Sequence, residues 1–275
     1  WLTVGPASLL KDASAARPYR ARLLGADVCL WRDADQRAAG REGDSPLVVR
    51  EAYGYLWVCP SGEPARELFA FPEMSQAGRR IVDCDGIGVA VSGLRMVENF
   101  LDMGHFPFVH ASYLGEVPHT EVAAYDVSID EAAGEIWATN CRFFQPRTSK
   151  SATTGLEVQY RYRVMQPLSA ILYMTAFPRP GEMDAIGLFV QPLEEEHVIA
   201  HAAAKVDEKG RIISDMLEAR KGGEPALVSR DEITLVDVST YQMFSVATNM
   251  IPFVDHDDAN RALMGSNMQK QATPV

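Results

Sequence analysis

The sequence predicts an α+β fold built on a mostly antiparallel sheet, and two patterns carry this prediction. Residues 156–164, LEVQYRYRV, alternate apolar and polar side chains, as an antiparallel strand with one covered face does. Residues 94–104 instead place Leu94, Val97 and Leu101 at helical spacing. With 275 residues, of which 47% are apolar and 23% charged, the chain is long enough to bury a sizeable core.

Shorter apolar runs predict further strands on both sides of this helix. These strands are residues 27–31, 56–59, 81–84, 87–92, 136–144, 171–177 and 186–190. The polar stretch 33–46, rich in Gly, Asp and Ala, predicts a loop. Farther along, 207–210 and 221–225 predict turns, and 256–269 predicts a helix with carboxylates at its start.

The composition narrows the class of partner. A net charge of −11 argues against nucleic-acid binding by the molecule as a whole, which depends on neutralising phosphates, and leaves only a local site open. No run of about 18 apolar residues predicts a membrane span, and the first residues do not resemble a signal peptide. The cysteines are widely spaced, which favours reduced thiols in a cytoplasm: Cys29, Cys59, Cys84 and Cys141.

The segment ENFLDMGHFPFVH holds the residues that could carry chemistry. A spacing of three places Asn99, Asp102 and His105 along one face of a helix. Pro107 then ends or bends that helix, which lets the imidazole of His110 turn back toward His105.

Two imidazoles and one carboxylate form a facial triad on Fe(II), which leaves coordination positions open for dioxygen and substrate. Asp102 suits a supporting role, because its carboxylate can accept the N–H of a ligating histidine. The alternative is that the two histidines, five residues apart, are incidental and bind no metal.

The spacing N-x-x-D-x-x-H-x-x-x-x-H, met at Asn99, Asp102, His105 and His110, is the mononuclear-iron motif of Rieske oxygenase α chains. Further stretches resemble the vanillate demethylase or phthalate dioxygenase type of that family: YGYLWVCPSGEP, FAFPEM, PHTEV and CRFFQP. The resemblance covers residues 1–195. It implies a helix-grip sheet around a long helix, iron held by His105 and His110, and electron transfer between subunits through Asp102.

The same resemblance implies an aromatic small-molecule substrate, a reductase or ferredoxin partner and a homotrimer. Two departures limit it. The family binds a [2Fe–2S] cluster through C-x-H and C-x-x-H, but no histidine precedes His105, so no cluster is expected in this chain. The family's third iron ligand is an Asp on a late helix, which this sequence does not reach. We therefore expect weak Fe(II) binding and an incomplete domain, inactive alone.

After Glu196 the amino-acid sequence resembles the RNA polymerase β subunit, most closely in IPFVDHDDANRALMGSNMQKQATP. This resemblance implies that Asp258 and Arg261 lie near the incoming nucleotide, where the planar fork of an arginine pairs with phosphate oxygens. The alternative is that these residues, together with His256 and Asp257, are surface residues at a helix start.

The two resemblances divide the chain into three parts. Residues 1–75 are a truncated Rieske-like β segment, 76–195 an incomplete mononuclear-iron catalytic domain, and 196–275 a polymerase-like segment. The leading hypothesis is a Rieske-type ring-hydroxylating or O-demethylating oxygenase domain. The alternatives are a polymerase β fragment, or an artefactual fusion in which each part ends in mid-domain and leaves strands unpaired.

Overall fold

Two antiparallel sheets make up the described part of the protein, with two α-helices between strands of the second sheet. The structure is a computed structural model that describes residues 1–76, 79–112, 114–146, 154–175 and 181–207. Within these ranges no helix is both long and apolar enough to cross a membrane. The predicted features at 208–275, including Asp258, Arg261 and the helix 256–269, lie outside the described residues.

The first sheet has six strands in the order β1-β6-β5-β4-β3-β2. They are β1 Leu2–Pro6, β2 Tyr19–Leu23, β3 Ala26–Arg32, β4 Ala38–Glu42, β5 Ser45–Ala52 and β6 Tyr55–Cys59. The predicted strands at 27–31 and 56–59 are confirmed as parts of β3 and β6.

The predicted loop at 33–46 is wrong, because β4 and the start of β5 lie in it. The strand was missed because its residues are small or polar. Gly40 explains the choice of small residues, because a Cβ atom there would lie 2.5 Å from the Leu30 side chain and 2.9 Å from that of Val49. The strand is thus selected for close packing rather than for β-branched or aromatic side chains.

The second sheet has seven strands in the order β7-β13-β12-β11-β10-β9-β8. They are β7 Arg79–Val89, β8 Asp126–Asp130, β9 Glu135–Gln145, β10 Leu156–Gln166, β11 Ser169–Thr175, β12 Met183–Glu194 and β13 His197–Asp207. The strands predicted at 136–144 and 186–190 are confirmed, and the one predicted at 171–177 is confirmed as far as Thr175, the last described residue of β11. The two predicted at 81–84 and 87–92 are joined in the single strand β7, which ends at Val89, so the predicted strand end at residue 92 is wrong.

Alternation along β10 places Tyr160 and Tyr162 in the core, as predicted, but one residue of the polar face is also buried. Arg163 donates from Nε and Nη2 to the carboxylate of Glu135, at 2.7 and 2.6 Å, and from Nη1 to the carbonyl of Ala70 at 2.9 Å. The chain between the two sheets therefore covers part of the face that alternation assigned to solvent.

Strand β13 begins just after residue 196, the predicted start of the polymerase-like segment, and it is paired along both edges. Ala200 lies opposite Val190 of β12 on one side and Ile87 of β7 on the other. Its side chain is fully buried, and that of Ala202 nearly so. The first polymerase-like residues are therefore an internal strand of the second sheet.

The two sheets meet through β12 and β13. The Tyr55 hydroxyl donates to the Ala202 carbonyl at 3.2 Å, and the Gln191 amide donates to the Arg22 carbonyl at 3.0 Å. Tyr55 also packs edge-on against Phe189 with ring centroids 5.2 Å apart. The aromatic core between the sheets thus includes side chains of both.

Candidate metal-binding site

Helix α1, Gly93–Leu101, leads the chain into the site. The Ser92 hydroxyl caps its start by accepting the Arg95 N–H at 3.4 Å. The helix buries Met96, Val97 and Phe100 against the second sheet, and this packing fixes where its last turn points.

The prediction that this helix runs to residue 104 is wrong. Asp102 has extended backbone angles, φ −79° and ψ 126°, and ends the helix. Its Oδ1 accepts the Gly104 N–H at 2.8 Å, a local bond that competes with helix continuation. Asp102 and His105 therefore meet across a turn and do not share a helix face.

The second helix, α2 Phe106–Val109, begins directly after His105 and ends at His110. Pro107 occupies its first turn, where proline is tolerated, because its missing N–H has no partner there in any case. The expectation that Pro107 ends the first helix is therefore wrong. This one short turn carries the chain from one histidine to the other.

The structure brings the two imidazoles together, with ring centroids 4.9 Å apart. His105 Nδ1 lies 3.0 Å from Asp102 Oδ2. An ionised carboxylate can only accept, so His105 Nδ1–H donates and Nε2 keeps its lone pair. Asp102 thereby fixes the tautomer that a metal ligand requires.

His110 is fully buried, and among the described residues neither of its ring nitrogens has a hydrogen-bond partner. Burial, and to a smaller extent repulsion from the charged form of His105, lowers the pKa of His110 to about 3. The imidazole is therefore neutral at physiological pH, which is the form that binds metals. Because leaving a buried polar atom unpaired is costly, these nitrogens fit a metal-ligand role.

The donor set is a pair of imidazoles. No group of three or more His, Cys, Asp or Glu side chains suited to a metal occurs in the described ranges. Asn99 is half-buried on α1, and neither His110 nitrogen bonds to it. The two histidines and Asp102 thus come together, whereas Asn99 is not joined to His110.

Polar side chains from the sheet were not identified from the sequence as part of this region. Tyr160 and Tyr162 are buried in the core that also contains Phe106, and the Gln145 amide donates to the Tyr160 hydroxyl. The Phe106 ring lies 6.1 Å from that of Tyr160 and 6.0 Å from that of His110. The alternation in β10 predicted their burial, but tyrosine at a core position carries no further signal.

The purified chain is expected to lack [2Fe–2S] absorption and acid-labile sulfide. Cys29 lies on β3 and Cys59 on β6, separated by two strands in the sheet order. That separation is roughly 14 Å, too far for one cluster. Absorption spectroscopy with iron and sulfide analysis checks this, and two irons with two sulfides per chain would contradict it.

Comparison with known proteins finds relatives of both parts of the chain. The chain is 47% identical over 199 residues, 71% of its length and 70% of the relative's, to a probable methylxanthine N7-demethylase, NdmC, of Pseudomonas sp. (strain TJI-51). Its structure resembles NdmA of Pseudomonas putida CBB5 with caffeine, with a TM-score of 0.61 and 13% identity, covering 99% of this chain and 94% of that one. It also resembles dicamba monooxygenase bound to dicamba, with a TM-score of 0.57 and 14% identity, covering 99% and 96%.

The second group of similar proteins consists of RNA polymerase β subunits. Residues 193–239 match the family of the RNA polymerase beta subunit external 1 domain. The chain is also 58% identical over 88 residues to the DNA-directed RNA polymerase subunit beta of Geotalea daltonii (strain DSM 22248 / JCM 15807 / FRC-32). That match covers 32% of this chain but only 6% of the polymerase subunit.

The fold and the extended similarity to NdmC define the class: the chain belongs to the Rieske-type oxygenase family. It carries in addition a segment similar to the RNA polymerase β subunit. The oxygenase resemblance stated from the sequence motif and the polymerase resemblance stated from the tail are both confirmed.

Proposed function

We propose that this chain holds a mononuclear Fe(II) through His105 and His110, with Asp102 orienting His105, in an oxygenase domain for an N-methylated aromatic heterocycle. The buried, unpartnered nitrogens of His110 beside the His105 ring carry the proposal. When bound, iron supplies the site for dioxygen activation. The protein's residues hold the neutral imidazoles and exclude water around them.

The substrate class rests on the relative's name, methylxanthine N7-demethylase. That name favours an N-methyl group over the ring positions and ethers expected from the sequence. By family resemblance we also propose a helix-grip arrangement of the second sheet and α1, a homotrimer, a reductase or ferredoxin partner, and a role for Asn99 beside Asp102. The Fe(II) affinity is weak, because two imidazoles lack the carboxylate of a facial triad.

We expect no turnover from this chain with a reductase and dioxygen. The family draws one of its two electrons from a cluster, whose ligand motifs are missing here. Formaldehyde release from caffeine is the direct assay, since an oxidised N-methyl group leaves as formaldehyde. Hydrogen peroxide is the parallel oxidant, because it supplies oxygen and electrons together.

The two arms separate the two parts of the proposal. Formaldehyde with peroxide alone supports a competent iron site with no electron route. Formaldehyde with reductase and dioxygen would contradict the expected loss of the cluster. No formaldehyde in either arm, from a chain shown to hold iron, would contradict a competent iron site for this substrate class.

A second candidate is a polymerase β fragment, favoured by the match at residues 193–239. The proposed nucleotide contacts, Asp258 and Arg261, belong to this candidate. Against it, residues 197–207 form the internal strand β13. We also retain the possibility that the fusion is artefactual. One unbroken sequencing read of the source DNA across codons 190–200 decides this, because an intact junction in the genome excludes an artefact.

A further inference from the structure

The chain turns back on itself directly after His110, and the returning residues bond to the backbone of that histidine. The Leu114 N–H donates to the His110 carbonyl at 3.0 Å, and the Ser112 N–H donates to the Gly115 carbonyl at 2.9 Å. Ala111 and Gly115 form an isolated β-bridge. We call Ala111, Ser112, Leu114 and Gly115 the return turn. It holds the backbone of one of the two proposed metal ligands.

Gly115 brings the return turn into direct contact with the backbone of α2. A Cβ atom at this position would lie 2.8 Å from the Pro107 nitrogen and 3.0 Å from the Phe106 carbonyl carbon. It would also lie 3.0 Å from the Phe143 ring of β9. Main-chain atoms, unlike the end of a side chain, cannot move aside by a rotamer change. A side chain at position 115 therefore pushes the return turn and α2 apart.

The peptide bond that Gly115 contacts connects the two histidines mechanically. His105 directly precedes Phe106 in the chain. The Phe106 carbonyl, whose carbon atom faces Gly115, accepts the His110 N–H at 3.0 Å. A shift of this peptide bond therefore moves His110, whereas the His105 ring remains bonded to Asp102.

The shift that a side chain at Gly115 requires is large on the scale of a metal site. Non-bonded carbon atoms pack at about 3.5–4.0 Å, so a Cβ atom 2.8 Å from the Pro107 nitrogen forces a separation of roughly 0.7 Å or more. The side chains of a binding site must be held within about 0.5 Å of their working geometry. The expected displacement therefore exceeds what a pair of ligands tolerates.

Ser112 allows the return turn to be changed without a change in the core. Its φ is 70°, in the left-handed region that glycine adopts freely and β-branched residues strongly disfavour. Its side chain is exposed. Substitutions at Ser112 therefore alter the turn independently of the buried contact at Gly115.

We propose that Gly115 is a positioning residue of the metal site. Because it has no side chain, the return turn packs on the Phe106–Pro107 peptide bond and sets the separation of His105 and His110. This inference rests on the proposed function, and it deepens that proposal by assigning the residue that fixes His110 beside its partner. Gly115 acts through the backbone of α2.

The test is Co(II) binding to the full chain by calorimetry, with each affinity expressed per folded molecule from circular dichroism. We expect Gly115→Ala to weaken Co(II) binding by at least about tenfold, as loss of the support of a metal ligand does. Gly40→Ala is the matched control, because its Cβ atom would lie 2.5 Å from the Leu30 side chain in the first sheet. It should lower stability and leave the Co(II) affinity unchanged. Gly88→Ala, whose Cβ atom would meet nothing within 4 Å, should change neither.

A second pair of variants changes the exposed end of the return turn. Ser112→Val should weaken Co(II) binding about 3- to 10-fold, because a β-branched residue at φ 70° strains the turn. Ser112→Gly should not weaken it, because glycine adopts this conformation without strain.

Unchanged Co(II) affinity in Gly115→Ala overturns the inference. An equal loss in Gly40→Ala also overturns it, because the effect is then one of general stability. If Gly115→Ala does not fold, equal affinities of Ser112→Val and Ser112→Gly overturn the inference instead. The double variant His105→Ala, His110→Ala separates this inference from the proposed function. Co(II) binding that survives in the double variant overturns both, whereas binding lost there but kept in Gly115→Ala overturns the inference alone.

Discussion

The double variant His105→Ala, His110→Ala is expected to lose Fe(II) or Co(II) binding by more than about 100-fold. The two rings lie 4.9 Å apart, and His110 has no partner among the described residues that could otherwise explain its buried nitrogens. Calorimetry under argon measures the loss. Removal of both imidazoles leaves Asp102 without its partner and without a role at the metal.

Substitution of Asp102 alone should weaken metal binding less than removal of both histidines. Asp102→Asn keeps the shape but weakens acceptance of the His105 N–H, so we expect a loss of roughly 10- to 100-fold. His119→Ala is the matched control, because His119 is an exposed histidine whose ring lies 4.2 Å from that of Phe144. Metal affinity that is unchanged in the double variant, or lost equally in the control, would remove the assignment.

The variant Ala200→Asp is expected to destabilise the protein by about 4 kcal/mol or more. Ala200 is 0% exposed in β13, between β12 and β7. A carboxylate there is desolvated without a partner, and the larger side chain overpacks the core. Urea unfolding followed by circular dichroism measures the change.

The matched control is Val127→Asp on the edge strand β8. Val127 is 63% exposed, so the same charge should change stability by no more than about 0.5 kcal/mol. The comparison tests whether polymerase-like residues complete the oxygenase sheet. Equal stability of the two variants would show that residues 197–207 are not an internal strand.

Strong periodicity made much of the second sheet predictable. The alternation in β10 correctly placed Tyr160 and Tyr162 on the buried face. The predictions failed for elements whose side chains show no regular alternation of apolar and polar residues. β4 consists of small and polar residues, and it was missed because its place depends on packing around Gly40.

β13 shows a second limit. Its side chains Val198, Ala200 and Ala202 are buried on one face, and His201 and Ala203 on the other. A strand covered on both faces has no polar alternation. The change of resemblance at residue 196 also indicated a boundary in the sequence, although the sheet continues through it.

The sequence predicted which residues form the site, but it did not predict the backbone path that joins them. The spacing of Asp102, His105 and His110 identified residues that the structure brings together. The continuous helix assumed for them was wrong, because the Asp102 carboxylate bonds to the Gly104 N–H and ends it. Gly115 was missed, because the close approach of one backbone segment to another is a property of three-dimensional packing.

The central claim is that His105 and His110 hold one metal ion. The most direct measurement is anomalous diffraction from crystals of the full chain grown with Co(II). We predict one cobalt peak about 2.1 Å from a ring nitrogen of each histidine, with Asp102 still bonded to His105. Cobalt bound elsewhere, or an empty gap between the two imidazoles at saturating cobalt, would contradict the account.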